Sequence, residues 1–148
     1  MYDEILGKNI FKNKIKFINK PSLEAQFSSI SDDIAYNSHD LQDGAKAGLF
    51  RIEDLSEVPV ISEIIYKHKK KHKKKGRELV LNEIVRDIIN EMVKDVIENT
   101  KKNIQYENPK NIRDIYKAKT QLVEFSEKMK DFDQEIKSFL KEHMYKHR

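Results

Sequence analysis

The 148-residue chain contains no cysteine and no tryptophan, and only four glycines and three prolines. Without cysteine, neither a disulfide framework nor a thiolate metal site can form, and nothing demands an oxidising compartment. So few breakers leave room for long uninterrupted helices. A continuous apolar run is missing too. The first twenty residues, MYDEILGKNIFKNKIKFINK, carry charges every few positions. That excludes a secretory signal or a membrane span there, so a soluble cytoplasmic protein is the expectation. Also absent are a Ser-His-Asp set, a glycine-rich phosphate loop and a dinucleotide fingerprint.

Charge is what the chain has most of. Residues 67–77, KHKKKHKKKGR, hold seven Lys and one Arg with no acid; the rest carries 21 basic against 25 acidic residues, a net of −4. The overall +4 therefore describes a mildly acidic body with one basic segment. A nucleic-acid binder would spread such charge over a folded face, so nucleic acid is not an expected partner. Runs of this kind are usually solvated linkers.

Periodicity predicts helix nearly throughout, and no stretch alternates as a strand does. A first helix opens at PSLEAQ, with Ser22 as cap and Glu24 at the positive end, and runs to about Leu41. A short helical piece, RIEDLSE, ends at Pro59, and VISEIIYKHKK fades into the lysine run. The longest helix starts near Arg77, its Leu81, Val85, Ile88, Met92 and Val96 recurring every three or four residues. A loop around Pro109 precedes two more helices, DIYKAKTQLVEFSEKMK and DQEIKSFLKEHMYKH. The length suits one domain with a modest core. The expected fold is all-α and irregular: residues 21–148 form the helical region, 67–77 a lysine-rich linker within it, and 1–20 a segment of undetermined structure.

One stretch stands out. SDDIAYNSHD, residues 31–40, gathers three aspartates around a tyrosine. At about 100° per residue, Leu23, Phe27, Ile30, Ile34 and Leu41 share a stripe of the first helix. Asp32, Tyr36 and Asp40, spaced four apart, form a second stripe roughly opposite, flanked by the small Ala25, Ser28 and Ser29. Such faces usually just meet water. Two features favour a site instead. Like charges four apart weaken an isolated helix, and an aromatic between two aspartates suits a flat or sugar-like ligand.

PSLEAQFSSISDDIAYNSHDLQDGAKAGLF resembles the downstream active-site helix of deoxynucleoside triphosphate triphosphohydrolases, the dGTPase-like branch of the HD-domain metal-dependent phosphohydrolases. LFRIEDLSEVP, ELVLNEIVRDIINEMV and KTQLVEFSEKMKDFDQEIKSFLKEHMYKH resemble the segments that follow, so the likeness runs from Pro21 to the C-terminus. It implies the C-terminal part of an HD-phosphohydrolase fold and a dNTP substrate cleaved to deoxynucleoside and triphosphate. By the same likeness, Asp32 corresponds to the last ligand of a divalent metal such as Mg or Mn. Tyr36 and Asp40 correspond to groups lining the deoxyribose and phosphate pocket. A carboxylate is a hard ligand for such a cation, and a second can accept a hydrogen bond from a sugar hydroxyl.

The departures are as informative. The family's metal centre also uses an upstream His and an adjacent His-Asp pair. His39-Asp40 cannot be that pair, because His39 is the first histidine in the chain and belongs to the later helix. Three of four inferred ligands are missing, as are the upstream substrate segments. The chain is thus expected to be a C-terminal piece, truncated upstream of the His-Asp motif, inactive alone and binding no metal tightly by itself. The alternative is a non-catalytic helical remnant or an interaction module that pairs with a separately encoded N-terminal half. Without upstream helices, the stripe of Leu23, Phe27, Ile30 and Ile34 is expected to stay uncovered and drive self-association.

Further signals have plainer explanations. His68/His72 and His143/His147 are each four apart, a spacing two metal ligands can use, but they lie among lysines and are expected to be solvated. Tyr116, Phe125, Phe132, Phe139 and Tyr145 recur at helical spacing, and most are expected to pack.

Overall fold

The computed structural model describes residues 20–57, 59–71 and 76–146. Among them five α-helices and two shorter turns appear, and no strand. Helix α1 is Leu23–Lys46, followed by a 3₁₀ turn at Ile52–Glu57. Helices α2 (Pro59–Lys71), α3 (Arg77–Glu107), α4 (Ile112–Lys117) and α5 (Glu127–Leu140) come next, and a π-helical turn, Lys141–Tyr145, extends α5. The all-α expectation holds. Residues 1–19, nearly all of the N-terminal segment, lie outside the described residues.

Three of the helices, α1, α4 and α5, begin at a side-chain cap. Ser22 Oγ accepts the Ala25 amide, and Ser126 Oγ accepts that of Met129. Asn111 and Asp114 form a reciprocal capping box on α4. Asn108, left-handed at φ 45°, ends α3. Helix α1 runs five residues beyond the expected stop at Leu41, passing through Gly44. Gly44 is required there for packing: a Cβ would run into the Phe50 ring.

The core lies where α3 meets α1 and α2, with α5 closing over α1. Leu81, Val85, Ile88, Met92 and Val96, the stripe visible in the sequence, are all buried, each worth roughly 1.5–3 kcal/mol. From α1, Ile30, Ile34 and Leu41 are buried in the same cluster and Leu23 packs partly against it, but Phe27 is 39% exposed. The chain's own helices therefore cover most of the stripe expected to drive self-association.

The C-terminal third departs further. The continuous helix expected from Asp114 to Lys130 is broken: α4 stops at Lys117, residues 118–126 are irregular, and α5 starts at Glu127 instead of Asp133. The cause is non-local. Buried Gln26 in α1 accepts the amides of Leu122 and Val123 through Oε1, at 2.9 and 3.0 Å. Asn103 and Asn99 of α3 donate to the carbonyls of Leu122 and Glu124. These side chains supply the partners that a helix would otherwise provide. Asp95 of α3 then accepts both the amide and the hydroxyl of Ser126, fixing the start of α5.

Candidate functional site

With Ile30, Ile34, Asn37 and Leu41 turned into the core, α1 presents the opposite face outward. Asp32 and Tyr36 are exposed on it, Tyr36 by 61%, and Asp40 is half-buried. The three rise in order, one turn apart, as their spacing requires.

A residue from the far end of the chain joins them. The Tyr145 hydroxyl donates to Asp40 Oδ2 and lies 3.5 Å from the Tyr36 hydroxyl. Burial pushes the Tyr145 phenol well up, and the hydrogen bond to the Asp40 carboxylate adds to the effect because it favours the protonated form. Tyr145 arrives there on the π turn, which an aromatic stack carries. Phe139 stacks on His143 with centroids 4.1 Å apart, and Phe50 meets Phe139 edge-on at 4.9 Å. His143 is also anchored, its Nδ1 lying 3.0 Å from the Phe139 carbonyl. Tyr36 and Asp40 are thus drawn together under Tyr145, while Asp32 stands outside this cluster. Tyr145, one of five aromatics of which most are expected to pack, is the neighbour that sequence reasoning missed. Its distance of 105 residues from Asp40 hid it.

Beside this face, a cleft of about 270 Å³ opens between the start of α1, residues 121–125 and the start of α5. Its polar lining includes Asp33, Glu124, Lys130 and Asp133. Asn37 donates to Asp133 at 2.8 Å, and Lys137 pairs with the same carboxylate at 2.7 Å. Hydrogen bonds to Glu127 and Glu124 hold the Lys130 ammonium above the usual lysine range.

A second cluster corrects an expectation. His68, expected to be solvated, is 5% exposed. Its Nε2 lies 2.9 Å from Asp87 Oδ2 and its Nδ1 3.4 Å from Glu83 Oε2. The hydrogen bond with His68 holds the Asp87 carboxyl below the usual carboxylate range. The signal lay in α3, where Glu83 and Asp87 are spaced i, i+4 beside the buried stripe. Helix α2 continues through Lys71, so the first five residues of the basic segment are helical. His72, His147 and residues 73–75 lie outside the described residues.

No protein-family model matches the chain. It is similar to several curated proteins named deoxyguanosinetriphosphate triphosphohydrolase-like. The relative from Pelagibacter ubique is 41% identical over 143 residues, covering 97% of this chain and 38% of its own length. That from Agrobacterium fabrum is 40% identical over 126 residues, and that from Rhodopseudomonas palustris 36% over 125, each with 31% of its length covered. The chain is homologous to the C-terminal portion of the deoxyguanosinetriphosphate triphosphohydrolase-like proteins. It spans about a third of the length of these relatives. The homology takes in the α1 face, since the Pelagibacter alignment leaves only five residues of this chain unmatched.

Whether the triphosphohydrolase-like portion holds a complete metal site can be tested on its side chains. Among the described residues, no three of His, Asp and Glu converge so as to hold a cation. Asp32 offers one exposed carboxylate, and His39 beside Asp40 is exposed on the same helix. These residues do not make a metal centre on their own. Nor is any helix among the described residues long and apolar enough to cross a membrane.

Proposed function

We propose that this chain is the C-terminal part of a metal-dependent dNTP triphosphohydrolase, in which its α1 face forms one wall of the substrate site. The complete enzyme cleaves a dNTP to a deoxynucleoside and triphosphate. Asp32 contributes a single carboxylate to a divalent cation whose other donors come from outside the described residues. Tyr36 and Asp40 meet the sugar, where a carboxylate can accept a hydroxyl hydrogen bond. One observation supports this above all. Asp32, Tyr36 and Asp40 share an outward face of a helix whose other face is committed to the core, within a segment homologous to the triphosphohydrolase-like proteins.

Asp32 lies outside any converging set of three His, Asp or Glu among the described residues, which suits a site completed by residues from elsewhere. In a second reading, the chain is an interaction module that a separate N-terminal half completes. The chain alone is then inactive, because a cation held by one carboxylate is neither fixed nor able to activate water. Triphosphate release from dGTP with manganese, measured on the pure chain and again after mixing with a fragment supplying the upstream His and His-Asp motifs, tests both statements. Activity only on mixing, abolished by Asp32→Ala, is the expected result. Activity of the lone chain refutes the division of the site, and activity on mixing that survives Asp32→Ala refutes the role of Asp32.

A further inference from the structure

Helix α3 carries a second apolar stripe besides the one in the core. Val93 and Ile97, one turn apart near the middle of the helix, are 41% and 43% exposed. Ile89 and Ile104 continue their row as half-buried residues. Steps of four and seven residues keep these side chains on one side of the helix. Along one flank runs a row of exposed charges in alternating sign, Glu91, Lys94, Glu98 and Lys101. Within the row Lys94 pairs with Glu91 at 3.0 Å, and both stay exposed.

We propose that this face of α3 is a self-association surface, which takes a second copy of the chain with its own α3 running antiparallel. Charge complementarity points to that occupant. A two-fold axis crossing the helices brings the same flank of each copy together and reverses its direction. About a centre near Val96, the charged row then meets itself with every sign exchanged. Glu91 faces Lys101 of the second copy, Lys94 faces Glu98 of the second copy, and each pair occurs twice. The same operation sets Val93 alongside Ile97 of the second copy and covers the exposed apolar pair. The patch is short: residues 89–104 span about 24 Å at the helical rise, so the dimer belongs to the weak, concentration-dependent class. This surface is independent of the enzymatic reading of α1.

Sedimentation of the intact chain from about 5 µM to about 500 µM tests it, with helicity followed by circular dichroism. The weight-average mass should rise towards that of a dimer over this range. Ile97→Glu, at a site open enough to accept the change, should keep the chain monomeric. Lys94→Glu and Glu98→Lys should each weaken association about tenfold, because each sets like charges against one another twice across the axis. Both lie at exposed positions, so they serve even if Ile97→Glu does not fold. Mixing the two charge variants in equal amounts should restore association, since each supplies the sign that the other lacks, while contacts within each helix stay unchanged. The proposal is wrong if the chain stays monomeric throughout, if association survives Ile97→Glu undiminished, or if mixing the charge variants restores nothing.

Discussion

Two regions of the molecule set carboxylates against ring-borne hydrogen-bond donors, and they differ in nearly everything else. On the α1 face, Asp40 meets the Tyr145 hydroxyl at the surface, with Tyr36 and Tyr145 still 61% and 42% exposed. Between α2 and α3, Asp87 and Glu83 meet a buried imidazole, with no room for a ligand between donor and acceptor. The first pair sets a neutral phenol against a half-buried carboxylate at a face partly open to solvent. The second buries a ring hydrogen-bonded to Asp87 where water is scarce, so removing the ring takes away the closest partner of that carboxylate. Similar chemistry thus stays accessible to solvent on one face and is buried between helices on the other.

The sharpest way to break this comparison is to remove the ring from each. His68→Ala should cost the most, about 3 kcal/mol in chemical denaturation, because it removes a buried ring and its 2.9 Å hydrogen bond to Asp87. A loss under about 1 kcal/mol would mean the cluster is no more cohesive than a surface pair. Gly44→Ala should follow at about 1–3 kcal/mol, since the new Cβ displaces the Phe50 ring and with it the stack beneath the π turn. Its thermal melt should move down while that of Gly48→Ala reports only the strain at φ 76°.

Acid should separate the regions next. The Asp87 carboxyl is held below its unfolded value, so its contribution is fully present above about pH 4 and is lost as pH falls through the depressed value. Asp87→Asn should therefore flatten part of the acid limb of a stability–pH curve. The smallest effect belongs to Tyr145→Phe, about 1 kcal/mol or less for a hydrogen bond at a partly exposed site. Spectrophotometric titration should nonetheless show Tyr145 ionising after the other tyrosines, because burial and Asp40 both favour its neutral form. Ionisation together with the others would mean that the phenol does not hold Asp40 in solution.

Sequence periodicity made the helices legible wherever their partners are repeated along the same stripe. The buried row from Leu81 to Val96 was visible because each member predicts the next. The α1 face was equally visible, since Asp32, Tyr36 and Asp40 lie within a few turns. What stayed hidden depends on residues far along the chain. The break at residues 118–126 needs Gln26 of α1 and Asn99 and Asn103 of α3; nothing local to Leu122 announces it. His68 looked solvated because its neighbours are lysines, whereas its partners lie on the next helix. Tyr145 had the spacing of a core aromatic and became a neighbour of the α1 face only through the π turn.

The Gln26 tether also sets an order on how the chain can fold. Its acceptor oxygen reaches amides 96 and 97 residues away. Closing a loop of that length costs entropy that grows as about (3/2)RT ln n, before any contact there rewards it. The α2–α3 hairpin, by contrast, joins His68 to Asp87 across only 19 residues. The hairpin can therefore assemble early at small entropic cost, while the Gln26 junction waits until both ends of the chain have been gathered. Gln26→Ala should then speed unfolding and leave the folding rate nearly unchanged, whereas His68→Ala should slow folding itself. A chevron in which Gln26→Ala chiefly slows refolding would place that long closure, and not the hairpin, in the nucleus.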